Sequence, residues 1–468
     1  MNTNSEQVNA QKTPEQTSKA SLNENIEVKS PPGDTASHKS DESEDYNPFE
    51  HRNIAKPTSN FGATAHILKT SLGSGILAMP MAYKNAGLVF GAVATVVLGV
   101  ICTHCIKMLV RTSHIVCKKK KIPLLNFPET AEGAFDIGPK RFRKYAKAVS
   151  ILVTVELLLS FILGNSVYVV FMSQSLSQVV EYAFRVEMNV RYYMLMLWIP
   201  LIFMCLLKTL KSLVPFSIIA NILIVISFSI TLYYIFRDIN LPNSVNMIAS
   251  IDRMPLFLAT VIFAIEGIGT ILPIENEMKN PERFVGGKCS VIDTAMTIVV
   301  LFYGVIGFFG YLEYGEETRG SITLNLPIDE PMAQAVKVLI ALVIFFTYAL
   351  QFYVPINIIW NLIKPKVKER YHFWGDLSVR IGLVTLTILI GMAVPNLEPI
   401  ISLVGAICFS TLGLLIPAVV DTIVRWPVLG VARWRLIKNI FILLLSLLAL
   451  FSGTYTSVFD IMYHEHED

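Results

Sequence analysis

Two stretches of the chain place residues that lipid-spanning helices avoid inside long apolar runs. The first, HILKTSLGSGILAMP at residues 66–80, holds His66, Lys69, Gly73, Ser74, Gly75 and Pro80. The second, FAIEGIGTILPIENEMKNPERF at residues 263–284, holds Glu266, Gly267, Gly269 and Pro273. In each, two glycines separated by one residue precede a proline, by five positions in the first and four in the second. A helix interrupted there leaves free N–H groups at the start of its second half and free carbonyls at the end of its first. The N–H end is an anion site, reinforced by the helix dipole. The carbonyl end suits a cation. Both charges, a few ångströms apart, match the zwitterion of an α-amino acid. Glycines of this kind also serve close helix packing. Their recurrence at matching positions of two halves points instead to a binding site near the middle of a transporter.

Titratable side chains inside apolar spans are functional candidates by default. His66 precedes Gly73 by seven residues, two helical turns, so the two share a face, with Thr70 between them. An imidazole, ordinarily titrating near pH ~6.5, suits uptake of a proton from a mildly acidic compartment. His66 is therefore expected to couple to protons or to gate; the plain alternative is a hydrogen bond to a neighbouring helix. Lys69 points elsewhere and is expected to snorkel or to pair with a carboxylate. Glu266 lies in the second break, where it can tie two half-helices together, pair with Lys69 or titrate; a structural or gating role is favoured. Glu156 is the remaining deep acid and the third candidate for proton coupling or gating. Asn165, Tyr168 and Tyr348 either line a pocket or bond between helices.

Other chemistries find less support. CTHC at 102–105 offers metal-ligand types but no fourth partner nearby, so no metal site is expected. No HExxH motif occurs and the deep carboxylates are scattered over different spans, which argues against an enzyme. Sodium coupling calls for hydroxyl ligands near the first break, and the eighth apolar run offers Thr347 beside Tyr348. That weakly favours protons over sodium.

The elements that must position these residues follow from composition. The 468 residues have a mean hydropathy of +0.54, with 53% hydrophobic and only 16% charged residues. Soluble domains carry about 25% charged residues. Spans of about 20 apolar residues can be drawn at eleven places. They are 58–82, 86–110, 148–171, 192–207, 212–236, 254–278, 289–312, 333–359, 376–394, 397–424 and 436–456. Each must be helical, because lipid leaves no partner for free backbone groups. With the N-terminus in the cytoplasm, the inner connections hold 23 Lys plus Arg and the outer ones 5. That is the asymmetry of the positive-inside rule. The acidic C-terminal end then lies outside. The two breaks open spans 1 and 6, so spans 1–5 and 6–10 form a 5+5 inverted repeat with one added helix.

Residues 1–57 hold ten acids against six Lys plus Arg and are rich in small polar residues. They are expected to form a disordered cytoplasmic tail, followed by a transmembrane domain at 58–456 and a short outer tail at 457–468. No signal-peptide core precedes the first span. The basic runs Lys118–Lys121 and Lys140–Lys144 set topology or bind anionic lipid. The six cysteines lie in spans or on the inner side, so no structural disulfide is implied.

These motifs resemble the proton-assisted amino acid transporters of the amino acid/auxin permease group, which have the LeuT-type fold. The resemblance runs from YNPFEHR at 46–52 to the end of the last span and is sharpest in the two stretches quoted above. It implies an all-α membrane protein that carries small neutral amino acids of the glycine, alanine and proline class together with protons, by alternating access, at the plasma membrane or on lysosomes. It places His66 at the family's proton-coupling histidine. It assigns the substrate carboxylate to N–H groups of Ser74, Gly75 and Ile76, in the breaks formed by Gly73 and Gly267. Carbonyls near Thr70, Ser71, Phe263 and Ala264 would take the ammonium. No cofactor is implied beyond the co-transported proton, and no nucleic acid. The chain lacks the outer-loop cysteines of vertebrate members and any Asn-x-Ser/Thr acceptor. It therefore looks like an invertebrate-type member, for which a sodium-coupled or exchange carrier, or a nutrient sensor signalling through its tail, are the alternatives.

Overall fold

The computed structural model describes residues 46–54, 56–71, 73–207, 210–237, 245–265, 267–287, 289–426 and 433–464. Glu266 and the first 45 residues of the expected tail lie outside the described residues.

The described chain is helical, as apolar runs in lipid must be. The first apolar run forms three pieces, α1 (Asn60–Ser71), α2 (Ser74–Leu77) and α3 (Met79–Ala86). Gly73, at φ −86° and ψ −143°, stands off the helix. Pro80 occupies the first turn of α3, where its missing N–H leaves no bond unmade. Then follow α4 (Leu88–Lys120), α5 (Phe127–Ile137), α6 (Lys140–Arg143), α7 (Ala146–Phe184), α8 (Val190–Cys205) and α9 (Leu210–Arg237). The sixth run forms α10 (Met254–Ile265) and α11 (Ile268–Asn276), with Gly267 off the helix at φ −138° and ψ 18° between them. The remainder is α12 (Glu282–Val285), α13 (Val291–Tyr314), α14 (Pro331–Ile363), α15 (His372–Ala393), α16 (Leu397–Val404), α17 (Ile416–Val424) and α18 (Arg433–His464). Two π-helical turns, Gly405–Phe409 and Thr411–Leu415, join α16 to α17.

Among the described residues, nine helices are long and apolar enough to cross a membrane. The expectation was eleven. The first expected span differs because its helix is split into short pieces. The fourth differs because α8 has 16 residues, fewer than the about 20 a span requires. α18 runs to His464, through part of the stretch expected as an outer tail.

The first half of the interrupted sixth run sits at the centre, whereas α1 is exposed along one side. α10 packs against α3, α16 and α18, and α1 packs against α13 and α11. α10 is buried along most of its length. Large apolar side chains crowd the periphery instead: Val100 is 65% exposed and Phe203 67%. An apolar exterior of this extent fits lipid, not water.

Part of the expected tail is packed. Arg52 is buried against Glu275 of α11, with Nη1 donating to Oε1 at 3.0 Å and Nη2 to Oε2 at 3.3 Å. Composition does not register one arginine that finds a buried carboxylate.

Candidate functional site

The two interruptions meet. Gly75 at the start of α2 lies against the end of α10, and a Cβ there would stand 2.7 Å from Ala264 Cα. No side chain fits, so this glycine is demanded by a close approach of two backbones. Gly73 and Gly267 differ. A Cβ on Gly73 would meet nothing nearer than the Thr70 carbonyl oxygen at 3.8 Å. One on Gly267 would meet Ser71 Oγ at 3.6 Å and Thr70 Oγ1 at 3.8 Å. A Cβ at either of these two glycines would thus sit at ordinary van der Waals distance, so neither is demanded by a close approach.

Tyr303 of α13 closes the arrangement. Its ring is fully buried, and its hydroxyl is aimed at the carbonyl oxygens of Ser71 and Ala264, the latter at 2.7 Å. These are carbonyls at the ends of the two first half-helices, the groups that an interruption leaves without an intrahelical donor. One O–H serves both, and each oxygen keeps a second lone pair. The sequence reading missed Tyr303. A tyrosine inside an apolar span is a signal, but nothing in the spacing ties it to breaks in two other helices.

The remaining candidates divide. Thr70 is placed beside Gly267, yet its hydroxyl donates to the His66 and Ile67 carbonyls of its own helix, at 3.1 and 2.9 Å. Ser71 and Ile76 are buried, and Ser74 starts α2. Phe263 is buried, with its ring 5.8 Å from that of Phe409 in the first π-helical turn. π-Helical turns are frequent at functional sites. Glu156 of α7 accepts from Thr411 Oγ1 at 3.3 Å in the second such turn. Its neighbour Leu157 touches the Gly269 position of α11. His66 stands on an exposed side of α1, and among the described residues its ring makes no hydrogen bond or ion pair. Lys69 finds a hydroxyl, not a carboxylate, donating to Ser217 Oγ at 2.6 Å.

Of the polar residues set aside as pocket or interhelical candidates, the two tyrosines tie helices together. Tyr348 bonds to Thr387 at 2.7 Å, and Tyr168 accepts from Gln351 at 3.0 Å. Asn165 donates to the Phe161 carbonyl of its own helix at 2.7 Å. Thr347 likewise donates to its own helix, at Val343. Among the described residues no cluster of metal-ligating side chains forms.

Away from the two breaks, cavities of about 520 Å³ and 430 Å³ lie where α3 ends and α16 begins, sharing Lys84 and Glu398 as a common wall.

Comparison with known proteins agrees with this architecture. The family model described as "Transmembrane amino acid transporter protein" matches residues 56–459. The chain is 38% identical over 419 residues to "Proton-coupled amino acid transporter-like protein pathetic" of Drosophila melanogaster, covering 89% of this chain and 88% of that protein. It is 26% identical over 418 residues to "Probable amino acid transporter skat-1" of Caenorhabditis elegans, covering 86% and 89%. Among solved structures the fold is similar to Mhp1 in its inward-facing conformation, with a TM-score of 0.56 and 13% identity over 90% of this chain and 92% of Mhp1. Mhp1 in a closed conformation with bromovinylhydantoin bound gives a TM-score of 0.51, again at 13% identity, covering 89% and 94%. The fold is thus LeuT-like. With the family model spanning the helical domain, the chain belongs to the transmembrane amino acid transporter family, a family of multi-pass membrane carriers and not of enzymes.

Proposed function

We propose that this chain carries small neutral amino acids together with protons by alternating access. The observation that carries the reading is the convergence of the two interruptions, with Gly75 seated on Ala264 and the Tyr303 hydroxyl shared by the Ser71 and Ala264 carbonyls. The substrate sits beside Gly73 and Gly267, where side chains are missing. Backbone N–H groups of Ser74, Gly75 and Ile76 hold its carboxylate. The second lone pairs of the Ser71 and Ala264 carbonyls, with carbonyls near Thr70 and Phe263, take its ammonium. Tyr303 holds the two acceptor ends in register, so the ammonium meets a preformed site.

Protons are assigned to His66, with Glu156 and Glu266 as further gating or coupling carboxylates. His66 lies on α1, the helix that ends at the first break, and an imidazole is a side chain suited to taking up a proton from a mildly acidic compartment. The name of the Drosophila relative supports proton coupling. Eleven spans are assigned, the interrupted first run and the short α8 being added to the nine long helices. Spans 1–5 and 6–10 form the inverted repeat, behind a cytoplasmic N-terminal tail and ahead of an outer C-terminus. No cofactor is assigned. The membrane is that of the cell surface or the lysosome, and the tail is where signalling partners would bind.

His66→Ala tests the coupling. Uptake of labelled alanine is compared at about pH 5.5 and about pH 7.4, either side of the ordinary imidazole pKa of about 6.5. The variant is expected to lose the rise in uptake on acidification. A variant that keeps the full rise removes His66 as the proton carrier.

A further inference from the structure

The smaller cavity, of about 430 Å³, is walled by the last turns of α3 and α18, the first turns of α10 and α16, and the 3₁₀ turn Ile251–Arg253 that leads into α10. One group in this wall is left incomplete. Asn85 is fully buried, and its Nδ2 donates to Glu398 Oε1 at 2.7 Å, which fixes the amide with Oδ1 as its other end. Among the described residues that Oδ1 has no hydrogen-bond partner. A buried amide oxygen without a donor costs about 1–3 kcal/mol, so the cavity calls for a ligand that brings an N–H. Its wall also carries both signs of charge. Arg253 is exposed, and among the described residues its guanidinium makes no hydrogen bond or ion pair. Lys84 is the second cation, with one donor spent on the Thr318 carbonyl at 3.1 Å. Asp252, Glu398 and Asp460 supply three carboxylates.

Backbone bonds hold Asn85 and Arg253 in one frame. The N–H groups of Leu88 and Ala249 donate to the carbonyls of Asn246 and Ala86, both at 2.9 Å. Gly87, at φ +85°, would place a Cβ 2.6 Å from Ile248 Cα, so the turn after α3 lies directly against the segment that leads to Arg253. On α18, a Cβ on Gly453 would stand 3.2 Å from Ala259 Cβ, which sets this helix close against α10. The rest of the wall is apolar and open. Tyr455 and Phe459 line it one turn apart on α18, their rings stacked at 6.2 Å, and Tyr455 is 70% exposed. Ile248 and Ile251, on the segment that carries Arg253, are exposed as well. Exposed tyrosines at the end of a spanning helix belong to the depth of the lipid headgroups.

We propose that this cavity binds the headgroup of phosphatidylethanolamine, across the adjoining ends of the two interrupted runs. The Arg253 guanidinium pairs with the lipid phosphate, which its planar fork matches. The primary ammonium donates to Asn85 Oδ1 and lies among the carboxylates, while the acyl chains run over the exposed faces of Tyr455 and Phe459. A choline headgroup has no N–H to offer Asn85. A serine headgroup brings a further carboxylate to a wall that already sets three against two cations. A small soluble zwitterion would satisfy the polar groups but leave the apolar surround uncovered. The site does not depend on the identity of the cargo.

The test follows lipid retention by the full chain in detergent, using native mass spectrometry. Palmitoyl-oleoyl phosphatidylethanolamine, its N-methyl and N,N-dimethyl derivatives and the matching phosphatidylcholine are titrated in turn. Retention is expected to fall along this series, with a several-fold difference between its ends and the largest step at loss of the last N–H. Equal retention of the ethanolamine and choline lipids overturns the site. Arg253→Ala is expected to bring retention of the ethanolamine lipid down to the choline level, and Arg253→Lys, which keeps the charge, to preserve part of it. Full retention in a folded Arg253→Ala chain also overturns the site. Should that variant fail to fold, the headgroup series in the unmodified chain decides alone. Saturating alanine is expected to leave the lipid bound. Displacement of the lipid by alanine overturns the proposal in favour of a site for soluble zwitterions.

Discussion

At the residue scale, the central fact is that one tyrosine hydroxyl serves two helix ends. Interruptions are tolerated at membrane depth only if their freed backbone groups find partners. Tyr303 supplies one for Ser71 and Ala264, from a helix that carries neither break. Tyr303→Phe removes the hydroxyl and leaves the ring. It is expected to lower stability by about 1–3 kcal/mol, the cost of leaving buried acceptors unpaired, and to reduce amino acid uptake with it. Thermal unfolding in detergent and an uptake assay read the two effects. An unchanged midpoint together with normal uptake removes Tyr303 from the site. The glycines were legible in the sequence as a pair, but their separate duties were not. Gly75 makes way for the Ala264 backbone, whereas a Cβ at Gly73 would meet only an ordinary contact with the Thr70 carbonyl. Sequence spacing cannot distinguish a glycine needed for contact from one that leaves room. The helical face shared by His66 and Gly73 was likewise an extrapolation through a helix that ends at Ser71.

At the element scale, the segment before α1 is as firmly placed as a helix. Arg52 lies between the Glu275 carboxylate and the Pro123 carbonyl, the latter at 3.0 Å from Nε. His114 at the end of α4 adds a third bond to Glu275, at 2.9 Å. Phe49 packs against both, its ring beneath the Arg52 guanidinium and edge-on to His114. Behind them, the Thr58 N–H donates to the Glu277 carbonyl at 2.7 Å, and the Lys279 N–H donates to Thr58 at 2.9 Å. Three separate pieces of chain are thereby tied at one end of the interrupted sixth run. Glu275 is fully buried, so removing its arginine leaves a carboxylate short of its charge partner. Arg52→Ala is expected to cost about 3–5 kcal/mol, and Arg52→Ala with Glu275→Gln together less than Arg52→Ala alone. Equal losses in the single and double variants would show that Glu275 does not depend on Arg52. The sequence reading placed Arg52 in a tail because it weighed composition over a window. A long-range ion pair has no signature in a window of that kind.

At the scale of the whole molecule, the helical membrane architecture was legible because it follows from long apolar runs and from the impossibility of unpaired backbone in lipid. The number of long helices was less legible. A run broken by Gly73–Gly75 and a helix as short as α8 both fall below a length criterion while still occupying a place in the chain order. The assignment of eleven spans puts the two ends of the chain on opposite sides of the membrane. An epitope after residue 468 is expected to be reachable without permeabilisation at the cell surface, or protected in intact lysosomes. One at residue 1 is expected to behave in the opposite way. Epitopes that behave alike would require an even number of spans.

The central claim is that the meeting of two interrupted helices carries an amino acid with a proton. The most direct measurement is uptake of labelled glycine, alanine and proline with simultaneous recording of current, in sodium-free medium, at about pH 5.5 and about pH 7.4, values that bracket the ordinary imidazole pKa of about 6.5. The account predicts saturable uptake that needs no sodium, rises at the lower pH and is accompanied by inward current. Uptake that is equal at the two pH values, or that vanishes without sodium, contradicts it.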